Sequence, residues 1–255
     1  MDRIQYTAMV PNMRQARRAK DHRANRLLAA LDPDDFACLE PHLEIVDLRR
    51  GAAIYDTGDF IRHTYFPHDA IVSLVNVLED GRTVEVANFG CEGMFGLLSA
   101  LVTRESFGRY IVHVSGTASR IPFEQLNEIR NTRAGIRQII MRYSEALLTR
   151  TFQILSCNAV HTVEERCCGW ILNMQDRIDQ DVMPLTHEFL AELLSVQRST
   201  LSAVLGRLQA RGLISQRRGA IAVLDRDGLE QAACECHTKI RHVFSRLLPH
   251  TYSSR

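Results

Sequence analysis

Arg198, Arg207, Arg211, Arg217 and Arg218 fall in one stretch that holds only two carboxylates, Glu188 and Glu192. From Thr186 to Arg218 the local excess is therefore +3, whereas the whole chain of 255 residues carries +1. Guanidinium groups gathered this way suit one chemistry above others. They fork onto phosphate oxygens and onto the acceptor edge of guanine. Catalytic chemistry is poorly served by comparison. There is no P-loop, GxSxG or HExxH pattern and no carboxylate pair beside a histidine, and His42, His63, His68 and His113 lie scattered. No catalytic residue is assigned, and an enzyme is not expected.

The seven cysteines are odd in number and irregular in spacing, which argues against a disulfide framework and for a reducing cytoplasm. Cys167 and Cys168, adjacent on a helix, would point ~100° apart and fit one metal poorly. Cys234-Glu235-Cys236-His237 is the one metal-like spacing, and it makes half a site, so no metal is assigned. Cys157 and Cys167 read as small buried hydrophobes. An exposed Cys234 or Cys236 sensing redox state is the subordinate reading.

The arginines need a scaffold, and the stretch Leu185–Ile221 supplies one. Thr186 is a good N-cap for a helix carrying Leu190, Leu193 and Leu194. That helix stops near Ser195, and a second follows with Leu201, Val204, Leu205 and Leu208 on one face. Arg198, Ser199, Ser202 and Ala203 lie away from that stripe. So short a turn suits the steep crossing of a helix-turn-helix. Gln216-Arg217-Arg218-Gly219 then joins two apolar runs as a hairpin wing.

The remainder divides by period. Residues 24–44 predict one or two short helices broken at Asp32-Pro33. From Ile45 the alternation becomes two, with Ile71–Leu78 and Thr83–Phe89 joined through Asp80-Gly81, a strong hairpin signal. Gly90–Gly96 is a glycine-rich loop before a short apolar helix, LLSALV, and strands follow around Tyr110–Val114 and Ala118–Ile121. Many short strands with turn signals predict a sandwich or barrel. A long helix from Ala134 towards Asn158 carries Ile136, Ile140, Tyr143, Leu147 and Ile154 on one stripe, with Arg150 the polar exception. Met141, Leu148, Phe152 and Leu155 form a second stripe. A helix apolar on two sides packs on two things, here its own domain and a symmetry mate, or else is buried within one domain. The first stripe is taken as the dimerisation face. Thr162–Arg177 and Leu229–Leu248 predict further helices. No apolar run is long enough to cross a bilayer, and no signal-peptide h-region follows the N-terminus.

A β-roll, a long helix and a winged helix-turn-helix in this order resemble the Crp/Fnr family of bacterial transcription regulators. The resemblance rests on YFPHDAIVSLV with its DG hairpin, the EGMFG loop, and LTHEFLAELLSVQRSTLSAVLGRL with the RRGAI wing. VEERCCGWIL and LDRDGLEQAACEC look like a subgroup without an intact cyclic-nucleotide site. The implied fold is α+β: a basic flexible arm (1–24), a cyclic-nucleotide-binding-like β-roll or jelly-roll sensor (25–130), a dimerisation helix (131–158), a winged helix-turn-helix (159–228) and a helical tail (229–255). The implied protein is a cytoplasmic homodimer on a palindromic operator in double-stranded DNA, with RNA polymerase a candidate partner and no membrane contact. Arg198, Ser199 and Ala203 stand where the family reads bases. Thr186, Gln197, Thr200 and Arg217 stand where it contacts phosphates, and Ser202 and Arg218 complete the DNA-binding set. Ser195 stands where glycine is usual, which implies a slightly altered turn. For an effector, Gly90, Glu92, Gly93 and Arg109 are the candidates. Tyr110 replaces a small hydroxyl residue and the Glu92–Arg109 loop is long, so a different small effector, or none, is the better reading and no cofactor is assigned. The rival is a ligand- or redox-sensing interaction protein whose helix-turn-helix does not read DNA specifically.

Overall fold

The computed structural model describes residues 21–97, 101–178, 182–249 and 251. Most of the basic arm and the centre of the expected LLSALV helix (98–100) lie outside them, and Leu97, Leu101 and Val102 at its ends are not helical. Two short helices, α1 (Arg26–Ala29) and α2 (Pro33–Leu39), are capped by Asn25 and Asp32. Their Leu27, Leu28, Phe36 and Leu39 share one hydrophobic core with two antiparallel sheets. The first sheet orders β1 (Glu44–Leu48), β7 (Gly116–Pro122) and β3 (His63–Pro67) as β1-β7-β3. The second orders β2 (Ala53–Tyr55), β6 (Arg109–Val114), β4 (Ile71–Val77) and β5 (Thr83–Phe89) as β2-β6-β4-β5.

β6 has the clearest period: Tyr110, Val112 and Val114 are buried while the residues between them are half-buried. The predicted DG hairpin joins β4 to β5, with Val77 opposite Thr83. Of its turn pair only Gly81 takes a positive φ, at 82°. The loop is closed by Leu78 and Arg82, so it is longer than a two-residue turn. Inside the roll, Tyr65 stacks on Phe95 at 4.9 Å and Phe95 on Tyr110 at 5.2 Å, with Phe89 and Tyr55 edging the stack. These rings fill the roll with the area burial and ring geometry that aromatic cores favour.

Helices α3 (Phe123–Thr132) and α4 (Ala134–Val160) follow the roll, and α4 is the long helix expected from the double stripe. The unit beyond it is built of α5 (Val163–Ile178), α6 (His187–Leu193) and α7 (Arg198–Ala210). A small sheet flanks it, ordered β8 (Val182–Met183), β10 (Ala220–Val223), β9 (Ile214–Arg217). Helices α8 (Arg226–Ala232) and α9 (Cys236–Leu247) close the chain, and α9 packs back along α4.

The dimerisation stripe is corrected here. Ile136, Ile140 and Tyr143 are buried in the chain's own core, and Leu147 and Ile154 pack against it. The Tyr143 hydroxyl donates to the Met94 carbonyl at 3.0 Å. The outward face of α4 is the second stripe, Met141, Leu148, Phe152 and Leu155, with Phe152 59% and Leu155 68% exposed. Both stripes have helical spacing, so periodicity alone does not say which one meets the roll.

Candidate nucleic-acid interface

Thr186 caps α6, its hydroxyl accepting from the Phe189 amide at 3.3 Å. The turn is carried by Ser195, which adopts φ +53° where glycine would be unstrained. Beyond it α7 buries Leu201, Val204, Leu205 and Leu208 on the domain core. Arg198, Ser199, Thr200 and Ala203 are consequently exposed, as is Gln197 at the N-cap. Ser202 is half-buried and lies 3.2 Å from His187 Nδ1, so it ties the two helices together. The wing turns at Gly219, φ +72°, and leaves Arg217 and Arg218 exposed beside it.

The charge excess is not uniformly available. Arg207 and Arg211 bond Glu164 of α5 at 2.8 and 3.1 Å, and Arg198 pairs with Glu188 across the helix-turn-helix. Arg217 and Arg218 have no ion pair among the described residues. The more available cations of this surface are therefore those of the wing, while at the N-terminus of α7 the helix dipole adds positive potential beside the paired Arg198.

The effector candidates do not form one pocket. Arg109 lies at the start of β6 opposite Val75 and bonds Asp56 at 2.8 Å. Gly90 follows Phe89, which faces Val72. The two thus stand on opposite sides of β4 and three residues apart along it, about 14 Å. A side-chain carbon added at Gly93 would sit 2.3 Å from the Tyr143 hydroxyl, and one at Gly90 would sit 2.9 Å from Arg177 Cδ. Both glycines serve close packing of helices on the loop rather than an open phosphate cradle. The sequence expectation for these four residues is corrected accordingly.

Glu92 has a different partner from the one expected. It is 1% exposed and forms an ion pair with Arg177 of α5, whose Nε lies 2.8 Å away, with Arg150 of α4 at 3.8 Å. Both guanidinium groups also donate to Asn88 at the end of β5, and Asn88 in turn donates to Glu85 at 2.7 Å. Desolvation pushes the Glu85 carboxyl above its ordinary range, against the pull of Ser73, Asn88 and the two arginines. This buried cluster joins the roll, the long helix and α5 at one point. Arg150 was visible in the sequence as a charge on an apolar stripe; Arg177 and Asn88 gave no such sign.

Beside the cluster, a cleft between roll and helices is lined by Glu85, Asn88, Arg150, Asn158, Trp170 and His237. The two units meet again where His113 of β6 packs on Phe189 of α6, ring centres 4.0 Å apart, and Thr83 donates to Glu192. Cys234 and Cys236 are both buried, so the subordinate reading of an exposed Cys234 or Cys236 as a redox sensor lacks the exposure it needs. They meet Cys157 and His161 of the long helix, and the four ligating atoms all lie within 4.8 Å of one another. The two cysteines of the metal-like spacing read from the sequence are thus joined, without His237, by Cys157 and His161, 73 or more positions upstream and spaced i, i+4.

A model of the Crp-like helix-turn-helix domain matches residues 165–232, and one of the cyclic nucleotide-binding domain matches residues 45–133. The chain belongs to the Crp/Fnr family. A global nitrogen regulator of Synechococcus elongatus is 24% identical over 200 residues, covering 74% of this chain and 89% of its own. The fumarate and nitrate reduction regulatory protein of Escherichia coli K12 is 21% identical, covering 73% and 77%. Among solved structures, FixK2 of Bradyrhizobium japonicum superposes with a TM-score of 0.66 at 16% identity, over 75% of this chain and 98% of that one. A Crp-family transcriptional regulator from Thermus thermophilus gives 0.63 at 20% identity, over 74% and 96%. The chain is thus a Crp/Fnr-type transcription regulator with a helix-turn-helix DNA-binding domain, in a family whose members are typically dimeric. No described helix is long and apolar enough to cross a membrane.

Within this Crp/Fnr chain the His113–Phe189 contact predicts a pH response. Burial, helped by Arg50, lowers the His113 pKa from 6.5 to about 4. The unfolded chain therefore takes up a proton between those values that the folded chain refuses. Stability is full above pH 6.5 and declines towards pH 4, by up to ~3 kcal/mol across that window. Melting temperatures from pH 7.5 to 4.5 should fall more steeply for the wild type than for His113→Phe. Parallel curves would remove His113 from the response.

Proposed function

We propose that the protein is a homodimeric, sequence-specific DNA-binding regulator that reads a palindromic operator, with its β-roll as the sensor of an effector. The observation that carries this reading is the outward face of α7. Arg198, Ser199 and Ala203 are exposed on it while the opposite stripe is buried, and the wing arginines lie on the same unit. A narrow face of small residues with one long guanidinium suits entry into a major groove, with Arg198 on guanine. Thr186, Gln197, Thr200, Arg217 and Arg218 serve as phosphate contacts, and Ser202 acts through His187 by holding the recognition helix in place.

The reading keeps the domain division drawn from the sequence: arm 1–24, sensor 25–130, dimerisation helix 131–158, winged helix-turn-helix 159–228 and tail 229–255. Dimerisation uses Met141, Leu148, Phe152 and Leu155, because a second copy of this helix gives that exposed apolar stripe a matching surface. Two recognition helices would then fall in successive major grooves ~34 Å apart. An effector acting in the cleft beside Arg150 and Asn88 would bear on all three units at once. RNA polymerase contact and a cytoplasmic setting belong to the same reading.

One selection from a random DNA library with the purified protein defines the operator, and variants test the roles. Arg198→Ala should weaken operator binding by ~1–3 kcal/mol and relax one base position. Arg217→Ala should weaken all sequences alike and flatten the log–log salt slope by roughly 0.9. Phe152→Glu with Leu155→Glu should leave a folded monomer in sedimentation that no longer prefers the full palindrome. Recovery of no sequence, or identical behaviour of Arg198→Ala and Arg217→Ala on every sequence, sinks the reading.

A further inference from the structure

Cys157 and His161 sit one turn apart at the C-terminal end of α4, where the long helix hands over to α5. Cys234 lies between α8 and α9, and Cys236 is the first residue of α9. Cys157 Sγ lies 3.5 Å from Cys234 Sγ, and His161 Nδ1 lies 3.5 Å from Cys236 Sγ. A tetrahedral zinc ion bound at ~2.3 Å to sulfur and ~2.0 Å to nitrogen requires ligand separations of about 3.5–3.8 Å. These two of the six donor separations already stand at that spacing, and all six lie within 4.8 Å.

The surroundings suit an ion better than three packed hydrophobes. His161 turns Nδ1 to the sulfurs and holds Nε2 3.3 Å from the Glu235 carboxylate. That is the carboxylate–imidazole arrangement that fixes the tautomer of a metal-bound histidine and raises its basicity. Gln153 Nε2 donates to Cys236 Sγ at 3.1 Å, a hydrogen bond that a thiolate accepts better than a thiol. All three thiols are buried, so an open catalytic position is not provided.

We propose that Cys157, His161, Cys234 and Cys236 bind one zinc ion in a closed Cys3His site. Soft thiolates with one imidazole in tetrahedral array select zinc among common divalent ions, and donors this close leave no room for bridging sulfides. Binding releases the three thiol protons to solvent. The ion ties the last turn of the long helix to the entry of α9. The elbow between the long helix and the DNA-binding unit is thereby fixed from both sides of the chain. The site is independent of which DNA sequence the protein reads.

The test is made on the full-length protein purified under reducing conditions from zinc-supplemented cells. Elemental analysis should find close to one zinc per chain. Exchange with cobalt(II) should give the intense visible bands and sulfur-to-metal charge transfer of a tetrahedral thiolate site. Cys234→Ser and His161→Ala should each lower zinc content about tenfold or more, while Cys38→Ser, at a thiol outside the cluster, should keep it. Glu235→Gln should weaken zinc affinity by ~10–100-fold with the four ligands intact. The wild-type cobalt spectrum decides the matter even if a ligand variant fails to fold. Wild-type protein with no bound zinc and no cobalt bands overturns the proposal. So does a Cys157–Cys234 disulfide in protein isolated without oxidant, or zinc held equally by Cys234→Ser.

Discussion

Arg177→Met should cost ~3–5 kcal/mol, measured as a shift in the urea midpoint at constant slope. Arg177 is 2% exposed, and its removal leaves Glu92, itself 1% exposed, with Arg150 at 3.8 Å as the only ion-pair partner among the described residues. A buried carboxylate that loses its close partner keeps its desolvation cost, and single removals of this kind are strongly destabilising. The double variant Arg177→Met with Glu92→Leu should recover much of the loss, because a buried pair and an apolar pair of similar volume are close in stability. A single variant within ~1 kcal/mol of wild type would mean that water reaches the cluster. The roll would then be joined to α5 less firmly than its geometry implies.

Tyr143→Ala should be of similar size, ~3–5 kcal/mol, since a fully buried aromatic ring is removed against a close-packed loop. Tyr143→Phe should cost only ~1 kcal/mol for the bond to the Met94 carbonyl. Neither should change the oligomeric state of the folded protein, measured by sedimentation. A folded Tyr143→Phe monomer would return Tyr143 to the dimer interface and overturn the inward assignment of its stripe. The close fit also explains Gly93. Any side chain there would meet the Tyr143 hydroxyl, so the glycine serves the contact between loop and long helix.

Much of the candidate interface was legible because local rules decide it. A capping threonine, a stripe at helical spacing, a few-residue turn and a second stripe lead to one arrangement, and the exposed face of α7 is what remains once Leu201, Val204, Leu205 and Leu208 are buried. The same holds for the alternation in β6 and the turn at Gly81. The charge excess was legible in amount but not in place. Glu164, on another helix, pairs with Arg207 and Arg211 and leaves the wing as the more available cation.

By itself the sequence determined the order of elements, the helix-turn-helix with its wing, and the residues able to face DNA. Each of these depends on neighbours within a few turns of the chain. Tertiary structure alone decided which stripe of the long helix points inward, because both stripes have the same period and differ only in what packs on them. It likewise decided that Glu92 meets Arg177 85 positions away in the sequence rather than a ligand's hydroxyl. It also brought Cys157 and His161 to Cys234 and Cys236. Charge pairs and metal ligands act across space, and their partners are set by how helices return on one another.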